Sequence, residues 1–275
     1  MLRYFFLLIT ITASFNIEAD PQWRWEDRFS SGEKAKLQDW VLHAEQGLIR
    51  LFGPLPYTYR VHYHRITRGS GPTPWAHTDK RYGRSVHFHV NTTYSLQDFN
   101  SDWTASHELS HLMFPYVGSN DRWFSEGLGS YLQYQIMYAS NTISWNEAID
   151  NLEERFGAAS KQSGHHTASI VELSNMSARS VSSVRLYWGG AAYFLMVDKA
   201  LSDEKKLRFT ELIATYLQCC VYQKSRSAWE MMELFNRISD SDIFTRIYEQ
   251  TVMRSGFPDS ANGLAWLREN PPQIQ

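Results

Sequence analysis

Apolar side chains recur every three or four residues through much of the chain, a spacing that places them on one face of an α-helix. The first such stretch covers residues 31–51 and ends at Gly53 and Pro54, two residue types that stop helices. Beyond about Ser95 the patterns are helical almost throughout. The predicted helices lie near residues 101–114, 121–138, 145–158, 183–201, 203–219, 226–238 and 240–254.

Two segments alternate apolar with polar residues and predict β-strands, at residues 57–67 and 85–91. In the second strand, valine and phenylalanine face one side, while His87 and His89 face the other. The residues between the strands, 68–84, include three glycines and two prolines, which predicts a loop.

The order of these elements predicts an α+β fold, with a mixed portion at residues 20–95 and a mainly helical portion at residues 96–275. A chain of 275 residues can form one sizeable domain or two small ones that pack closely. No repeat or low-complexity linker separates the two portions, so we expect residues 20–275 to form a single domain.

The charge balance argues against nucleic acid as a partner. The net charge is −2, and lysine and arginine form no run or patch along the sequence. Tryptophan is frequent, with ten residues, which is typical of a large core or of a binding cleft. Composition alone does not choose between these two.

The first 19 residues have the pattern of a secretory signal peptide. Arg3 precedes an apolar run at residues 4–15 that is too short to span a bilayer, and Ala19 offers a cleavage site before Asp20. We therefore expect an exported protein, periplasmic or secreted; the alternative is an uncleaved anchor. A second apolar run, residues 186–197, is also too short to span, so no membrane span is expected in the mature chain.

The two cysteines, Cys219 and Cys220, are neighbours in the sequence. Cα atoms of adjacent residues lie about 3.8 Å apart, below the usual disulfide range of about 4.4–6.8 Å. A disulfide between them would not fit inside the helix predicted there. We therefore expect two buried thiols.

Residues 107–111 read HELSH and carry the spacing of a zinc-hydrolase helix. An α-helix turns once in about 3.6 residues, so His107 and His111 project from the same face and can bind one Zn²⁺. Glu108 lies beside them, placed to reach a water on the metal rather than the metal itself. The competing interpretation is a solvated helix face that carries two histidines.

A third ligand is needed for a catalytic zinc site, and Glu126 is the candidate. Pro115 and Gly118 break the first helix, and the next helix, if antiparallel to it, turns Glu126 toward the histidines. Its neighbours are apolar, so a carboxylate there needs a partner such as a metal ion. Alternatively, Glu126 is an ordinary first-turn glutamate favoured by the helix dipole.

These motifs resemble the gluzincin metallopeptidases, in particular the catalytic domains of the aminopeptidase N and glycyl aminopeptidase families. Both families have a W-x-x-E-G helix after H-E-x-x-H, as in WFSEG here. The resemblance implies a thermolysin-like fold, one Zn²⁺ per chain and a peptide or protein substrate. It also implies a tyrosine that stabilises the tetrahedral intermediate.

The tyrosine motif of these families, Y-x-K-G, is matched in part by Tyr187, Trp188, Gly189 and Gly190, so Tyr187 is the candidate and Tyr193 the fallback. A core aromatic is the competing interpretation. The aminopeptidase motif G-x-M-E-N, which recognises a free amine, is absent, so aminopeptidase specificity does not follow.

The sequence thus predicts an exported zinc metallopeptidase with Glu108 as general base, which cleaves extended peptides paired with a sheet edge, suggested to be strand 85–91. Two alternatives stay open: an inactive zinc-binding homologue, and a cell-envelope protein that binds peptide or glycan. The oligomeric state is not predicted. A second metal site at His62, His64, His87 and His89 is a minor alternative to a polar strand face.

Overall fold

A mixed four-stranded sheet forms the early part of the protein. The computed structural model describes residues 21–163, 168–176 and 183–275, so the signal peptide expected at residues 1–19 lies outside the described residues. The strands are ordered β1-β2-β4-β3; the first three are parallel, and β3 runs antiparallel to β4. Their bounds are Gln22–Trp25 (β1), Arg60–Arg65 (β2), Trp75–Asp79 (β3) and Ser85–Val90 (β4).

Helices make up most of the remaining described chain. Their bounds are Ser31–Phe52 (α1), Leu96–Ser101 (α2), Thr104–Leu112 (α3), Arg122–Ala139 (α4), Trp145–Ser163 (α5), Ile170–Asn175 (α6), Ser183–Lys205 (α7), Phe209–Cys219 (α8), Ala228–Ser239 (α9), Ile243–Gln250 (α10) and Ala261–Glu269 (α11). Sequence patterns missed β1, α2, α6 and α11, each of nine residues or fewer, because short elements show too little periodicity. None of the helices in the described ranges is long and apolar enough to cross a membrane.

Helix α1 covers the apolar face of the sheet. It begins at a capping box, in which Ser30 and Glu33 satisfy each other's backbone N–H groups. Its Trp40 ring packs against Phe88 of β4, with the ring centroids 4.7 Å apart. Tyr63 of β2 donates its hydroxyl to the Leu37 carbonyl at 2.7 Å. One face of the sheet is therefore buried, and its register against the helix is set.

The opposite face of the sheet carries a stacked row of histidines. His62 lies opposite His87 and His64 opposite His89, with ring centroids 4.2 and 4.5 Å apart, and His77 of β3 stacks on His87. Two ring nitrogens of this row meet, since His64 Nε2 lies 3.2 Å from His87 Nδ1. Within the described ranges, the one group of three or more metal-ligating side chains lies elsewhere, so the face does not support a three-ligand metal site.

Strand β3 lies inside the segment predicted to be a loop, so that prediction is wrong for residues 75–79. This strand forms because it pairs with β4. The local sequence, which is rich in glycine and proline, does not show this pairing. As a consequence β4 is an interior strand, paired on both sides. The suggestion that a substrate pairs with residues 85–91 is therefore wrong, because these residues have no free edge.

Helices α4 and α7 approach each other most closely at two glycines. A Cβ built on Gly190 would lie 2.2 Å from the Trp123 carbonyl oxygen, and one built on Gly127 would lie 2.4 Å from the Gly190 Cα. These distances are far shorter than any van der Waals contact. The two backbones can therefore touch only because both positions lack a side chain.

A buried carboxylate, Asp198 of α7, ties three helices together. It accepts hydrogen bonds from the Tyr131 hydroxyl of α4 at 2.6 Å, from the Phe209 amide at 2.7 Å and from the Arg208 guanidinium at 2.9 Å. Asp198 has no exposed surface. A buried charge with this many donors is well satisfied, and it orients α7 relative to α4 and the start of α8.

The cysteine prediction is wrong. Cys219 and Cys220 form a disulfide bond with each other rather than two buried thiols, and Cys219 is exposed. Helix α8 ends at Cys219, and Cys220 leaves the helical conformation, with φ −137° and ψ −1°. The steric objection to a disulfide inside a helix does not apply, because the pair lies at the helix end.

The glycine contact predicts a large difference between two Gly→Ala variants. Gly190→Ala should lower the free energy of unfolding by roughly 3 kcal/mol or more, since the added methyl group must push α7 away from α4. Gly157 of α5 has no atom within 4 Å of a built Cβ, so Gly157→Ala should be neutral or stabilise by up to about 1 kcal/mol. Urea unfolding of both proteins tests this; equal stability would contradict the close helix contact.

Candidate active site

Three side chains from two helices converge in the interior of the protein. The Nε2 atoms of His107 and His111 lie 3.1 Å apart, and Glu126 Oε2 lies 3.2 Å from the first and 3.4 Å from the second. Ligand atoms at about 2.0–2.2 Å from a tetrahedral zinc ion lie roughly 3.3 Å from one another. Two imidazoles and one carboxylate at these distances therefore fit Zn²⁺ and leave a fourth position open.

Local sequence explains how the three side chains meet. The histidines are one turn apart on α3, and the chain then reverses through Gly118, which has φ +95°. Gly129 of α4 faces both histidines, because a Cβ built there would lie 2.9 Å from His107 Cε1 and 3.0 Å from His111 Cε1. A glycine at this position lets both imidazoles pack against α4.

The His107 ring is oriented by a buried amide. Its Nδ1 lies 2.9 Å from Gln133 Oε1, and Gln133 is 1% exposed. A proton on Nδ1 that is donated to this oxygen leaves the Nε2 lone pair free for a metal ion. Sequence reasoning missed Gln133, although it lies two turns after Glu126 on the same face of α4.

Electrostatics keep the candidate ligand charged. Burial of Glu126 on its own would raise its pKa, but the adjacent ring nitrogens of His107 and His111, where they carry a proton, hold the pKa well below its usual value. Glu126 is therefore ionised at neutral pH, as a carboxylate ligand must be. The two histidines that stabilise the negative charge of Glu126 are also its proposed partners in binding the metal.

Glu108 lines the cavity beside these residues and is not a member of the ligating group. Burial raises its pKa, while the neighbouring histidines act in the opposite direction. A carboxyl group in this position is suited to accept and release a proton. The structure thus separates Glu108 from the ligands as the sequence predicts, while its role in catalysis stays a prediction.

Tyr187 of α7 also lines this cavity, and its ring stacks on His107 with the centroids 5.8 Å apart. Burial raises its pKa, and the nearby Glu126 carboxylate raises it further, so the hydroxyl stays protonated and can donate. The fallback residue, Tyr193, is fully buried elsewhere and donates to the Phe244 carbonyl at 3.0 Å. Of the two tyrosines, only Tyr187 is placed at the site.

Two cations at the site were missed from the sequence, Lys80 and Arg122. Both line the same cavity of about 220 Å³ as Glu108, Glu126 and Tyr187. Lys80 directly follows β3, inside the segment predicted to be a loop. Arg122 could have been found, because it lies one turn before Glu126 on α4.

Comparison with known proteins agrees with this geometry. The family model of the M61 glycyl aminopeptidases matches residues 115–192, which include Glu126 and Tyr187 but not the two histidines. No curated protein matches the chain at a significant level. The family match covers less than half of the chain.

Solved structures match over most of the chain. An aminopeptidase N family protein from Idiomarina loihiensis is similar with a TM-score of 0.63 and 16% identity, covering 88% of this chain and 46% of that one. An M1 zinc metallopeptidase from Deinococcus radiodurans has a TM-score of 0.54 and 14% identity, covering 85% and 48%. A variant of the latter bound to a Tyr-Ser-Ala substrate has a TM-score of 0.55, 14% identity and coverage of 85% and 48%.

These similarities confirm the predicted resemblance to gluzincin-type zinc metallopeptidases and the predicted α+β fold. The chain spans about half the length of the solved structures that it matches. At these identities the similarity establishes the fold, and the activity of the whole relatives does not transfer with it.

Zinc binding is the direct test of the site. We expect one Zn²⁺ per chain in the purified protein and none in His111→Ala, because two remaining ligands hold the ion poorly. His64→Ala is the matched control: it removes a histidine from the outer face of the sheet and should keep one Zn²⁺. Elemental analysis after dialysis measures both, and equal zinc in wild type and His111→Ala would contradict the site.

Proposed function

We propose that this protein is a zinc-dependent peptidase that uses His107, His111 and Glu126 as metal ligands. The observation that carries the proposal is the convergence of these three ligand atoms within 4.8 Å of one another, with Glu108 in the same cavity and outside their group. The M61 family match and the fold of the M1 metallopeptidases support it. Endopeptidase and aminopeptidase action are both compatible with this geometry.

When bound, Zn²⁺ supplies Lewis acidity: it lowers the pKa of a water and polarises the substrate carbonyl. Glu108 takes the proton of the attacking water and delivers it to the leaving amine. The Tyr187 hydroxyl, which stays protonated, donates a hydrogen bond to the oxygen that gains negative charge. Gln133 keeps the His107 ring in the orientation that presents Nε2.

An extended peptide can reach these groups along β3. This strand pairs with β4 on one side and lies at the edge of the sheet on the other. Three of its residues, Ala76, His77 and Thr78, line the cavity that contains Glu108. Main-chain hydrogen bonds to this edge would hold a substrate in the extended form that peptidases require.

We also propose that the mature protein is exported. The signal-like segment at residues 1–19 motivates this proposal. The Cys219–Cys220 disulfide supports it, since disulfides persist mainly in oxidising compartments such as the periplasm or the extracellular space. An inactive zinc-binding homologue is disfavoured, because Glu108 and Tyr187 are both in place at the cavity.

The Glu108→Gln variant tests the general base. It should keep zinc and fold normally but lose about 10²–10⁴-fold in peptide hydrolysis, because an amide cannot take the water's proton. Glu154→Gln, an exposed change on α5, is the matched control and should keep full activity. Wild-type rates in zinc-loaded Glu108→Gln would refute the mechanism.

The tyrosine pair tests the oxyanion donor. Tyr187→Phe should keep zinc and lose about 10²–10³-fold in kcat, since it removes one hydrogen bond made in the transition state. Tyr193→Phe removes a buried hydroxyl away from the cavity, so its kcat should be that of wild type even where its melting temperature falls. The reverse order of effects would assign the donor to Tyr193.

Export is tested by N-terminal sequencing of protein expressed with residues 1–275. The mature form should begin near Asp20 and be found outside the cytoplasm. Soluble cytoplasmic protein that retains Met1 would contradict the proposal.

A further inference from the structure

Two cations line the cavity that contains the proposed metal site and make no direct contact with a counter-ion among the described residues. Lys80 and Arg122 both line it, and within the described ranges neither side chain makes a hydrogen bond or an ion pair. Nearby arginines differ: Arg81 is paired with Asp79 at 2.7 Å, and Arg84 donates to the Leu112 carbonyl at 2.7 Å. Cations that face a half-buried cavity and make no direct ion pair can bind an anionic ligand there.

The carboxylates that line the cavity already have proposed roles in catalysis and metal binding. Among the described residues that line it, the carboxylates are Glu108 and Glu126, the proposed base and metal ligand. A free α-ammonium group would therefore find no unclaimed carboxylate, and it would meet two positive charges. With Zn²⁺ bound, the lining carries more positive than negative charge. Its electrostatics disfavour an amino terminus and favour an acid.

The two cations lie close to the residues proposed to carry out catalysis. Arg122 lies one turn before Glu126 on α4, and its charge acts on Tyr187 by lowering that residue's pKa, against the larger effect of burial. Lys80 directly follows β3, the strand proposed to hold the substrate, and it also borders the small recess behind His111.

The charge of Lys80 depends on its surroundings. Burial lowers the pKa of Lys80 to about 7, and the positive charge of Arg84 contributes a smaller part of this decrease. Glu108 and Glu126 act in the opposite direction. A carboxylate bound beside the amine would favour its charged form. Binding of an acid and protonation of Lys80 therefore reinforce each other.

We propose that Lys80 and Arg122 form a carboxylate-binding subsite, so that the enzyme prefers peptides with a carboxylate near the scissile bond over peptides with a free amine there. This inference rests on the proposed peptidase function and names its substrate class. The carboxylate can be the C-terminus of the peptide or an aspartate or glutamate side chain, and the two sources share the same chemistry.

Matched peptides test the subsite in the zinc-loaded protein. One series of internally quenched peptides ends in a free carboxylate or in a carboxamide, and a second, amidated series carries glutamate or glutamine at each internal position. We expect kcat/KM to be about 10- to 100-fold higher for the acid in at least one series, the range of one charged hydrogen bond. The first series identifies the C-terminus as the source, and the second a side chain.

Variants connect the preference to the two cations. In Lys80→Gln and Arg122→Gln, the ratio of acid to amide in kcat/KM should fall about tenfold or more, in addition to any slowing that acid and amide share. Lys161→Gln and Arg237→Gln are matched controls, since both residues are exposed and outside the cavity, and they should keep the wild-type ratio. N-acetylation of the peptides should leave the rates unchanged.

Three results would overturn the subsite. The first is equal kcat/KM for acid and amide in both series, and the second is loss of hydrolysis on N-acetylation. The third is an equal slowing of acid and amide in the variants, which would show that Lys80 acts on Glu108 and not on the substrate.

A binding measurement separates failure of the subsite from failure of the proposed function. Fluorescent acid and amide peptides are titrated against zinc-loaded Glu108→Gln, followed by anisotropy. If wild type cleaves nothing, the peptidase proposal fails, yet tighter binding of the acid that is lost on Lys80→Gln or Arg122→Gln still supports the subsite. Equal affinities for acid and amide would reject it independently of hydrolysis.

Discussion

The contact between α4 and α7 at Gly127 and Gly190 is the constraint on which the site depends. It allows two helix backbones to touch, and so it brings Tyr187, one turn before Gly190, over the His107 ring and beside Glu126. A side chain at either glycine would push the helices apart and move Tyr187 out of hydrogen-bond distance of the other groups at the site. The glycines of the W-x-x-E-G and Y-x-x-G segments are thus explained by packing, and not by chemistry of their own.

Buried polar groups hold this arrangement in register. Asp198 links α7 to α4 through Tyr131 and to α8 through Arg208, so α7 cannot slide along α4 without breaking several hydrogen bonds. On α4 itself, Gln133 and Gly129 act on the histidines of α3, one by orienting a ring and the other by making room. Helix α4 therefore supplies a ligand and also shapes the surroundings of the other two.

The sheet completes the cavity from the other side. The strand order places β3 at an edge of the sheet, next to α3, and Lys80 directly follows this strand. The electrostatic character of the cavity then results from three segments remote in sequence: Lys80, Arg122 with Glu126, and Glu108. These charges can act together on a substrate only because the fold brings the three segments to the same cavity.

The sequence by itself determined what depends on local spacing: the shared face of His107 and His111, the place of Glu108 beside them, and the helices around them, because one turn of helix defines these relations. The same helical spacing, counted from Glu126, could have identified Arg122 one turn before it and Gln133 two turns after it. Tertiary structure alone decided which distant groups meet. Strand β3 forms because it pairs with β4, and Lys80 lines the cavity because it directly follows that strand. The cysteine pair can form a disulfide because helix α8 ends at Cys219 and Cys220 lies outside it. Such contacts join residues far apart in the chain, and no periodicity along the sequence records them.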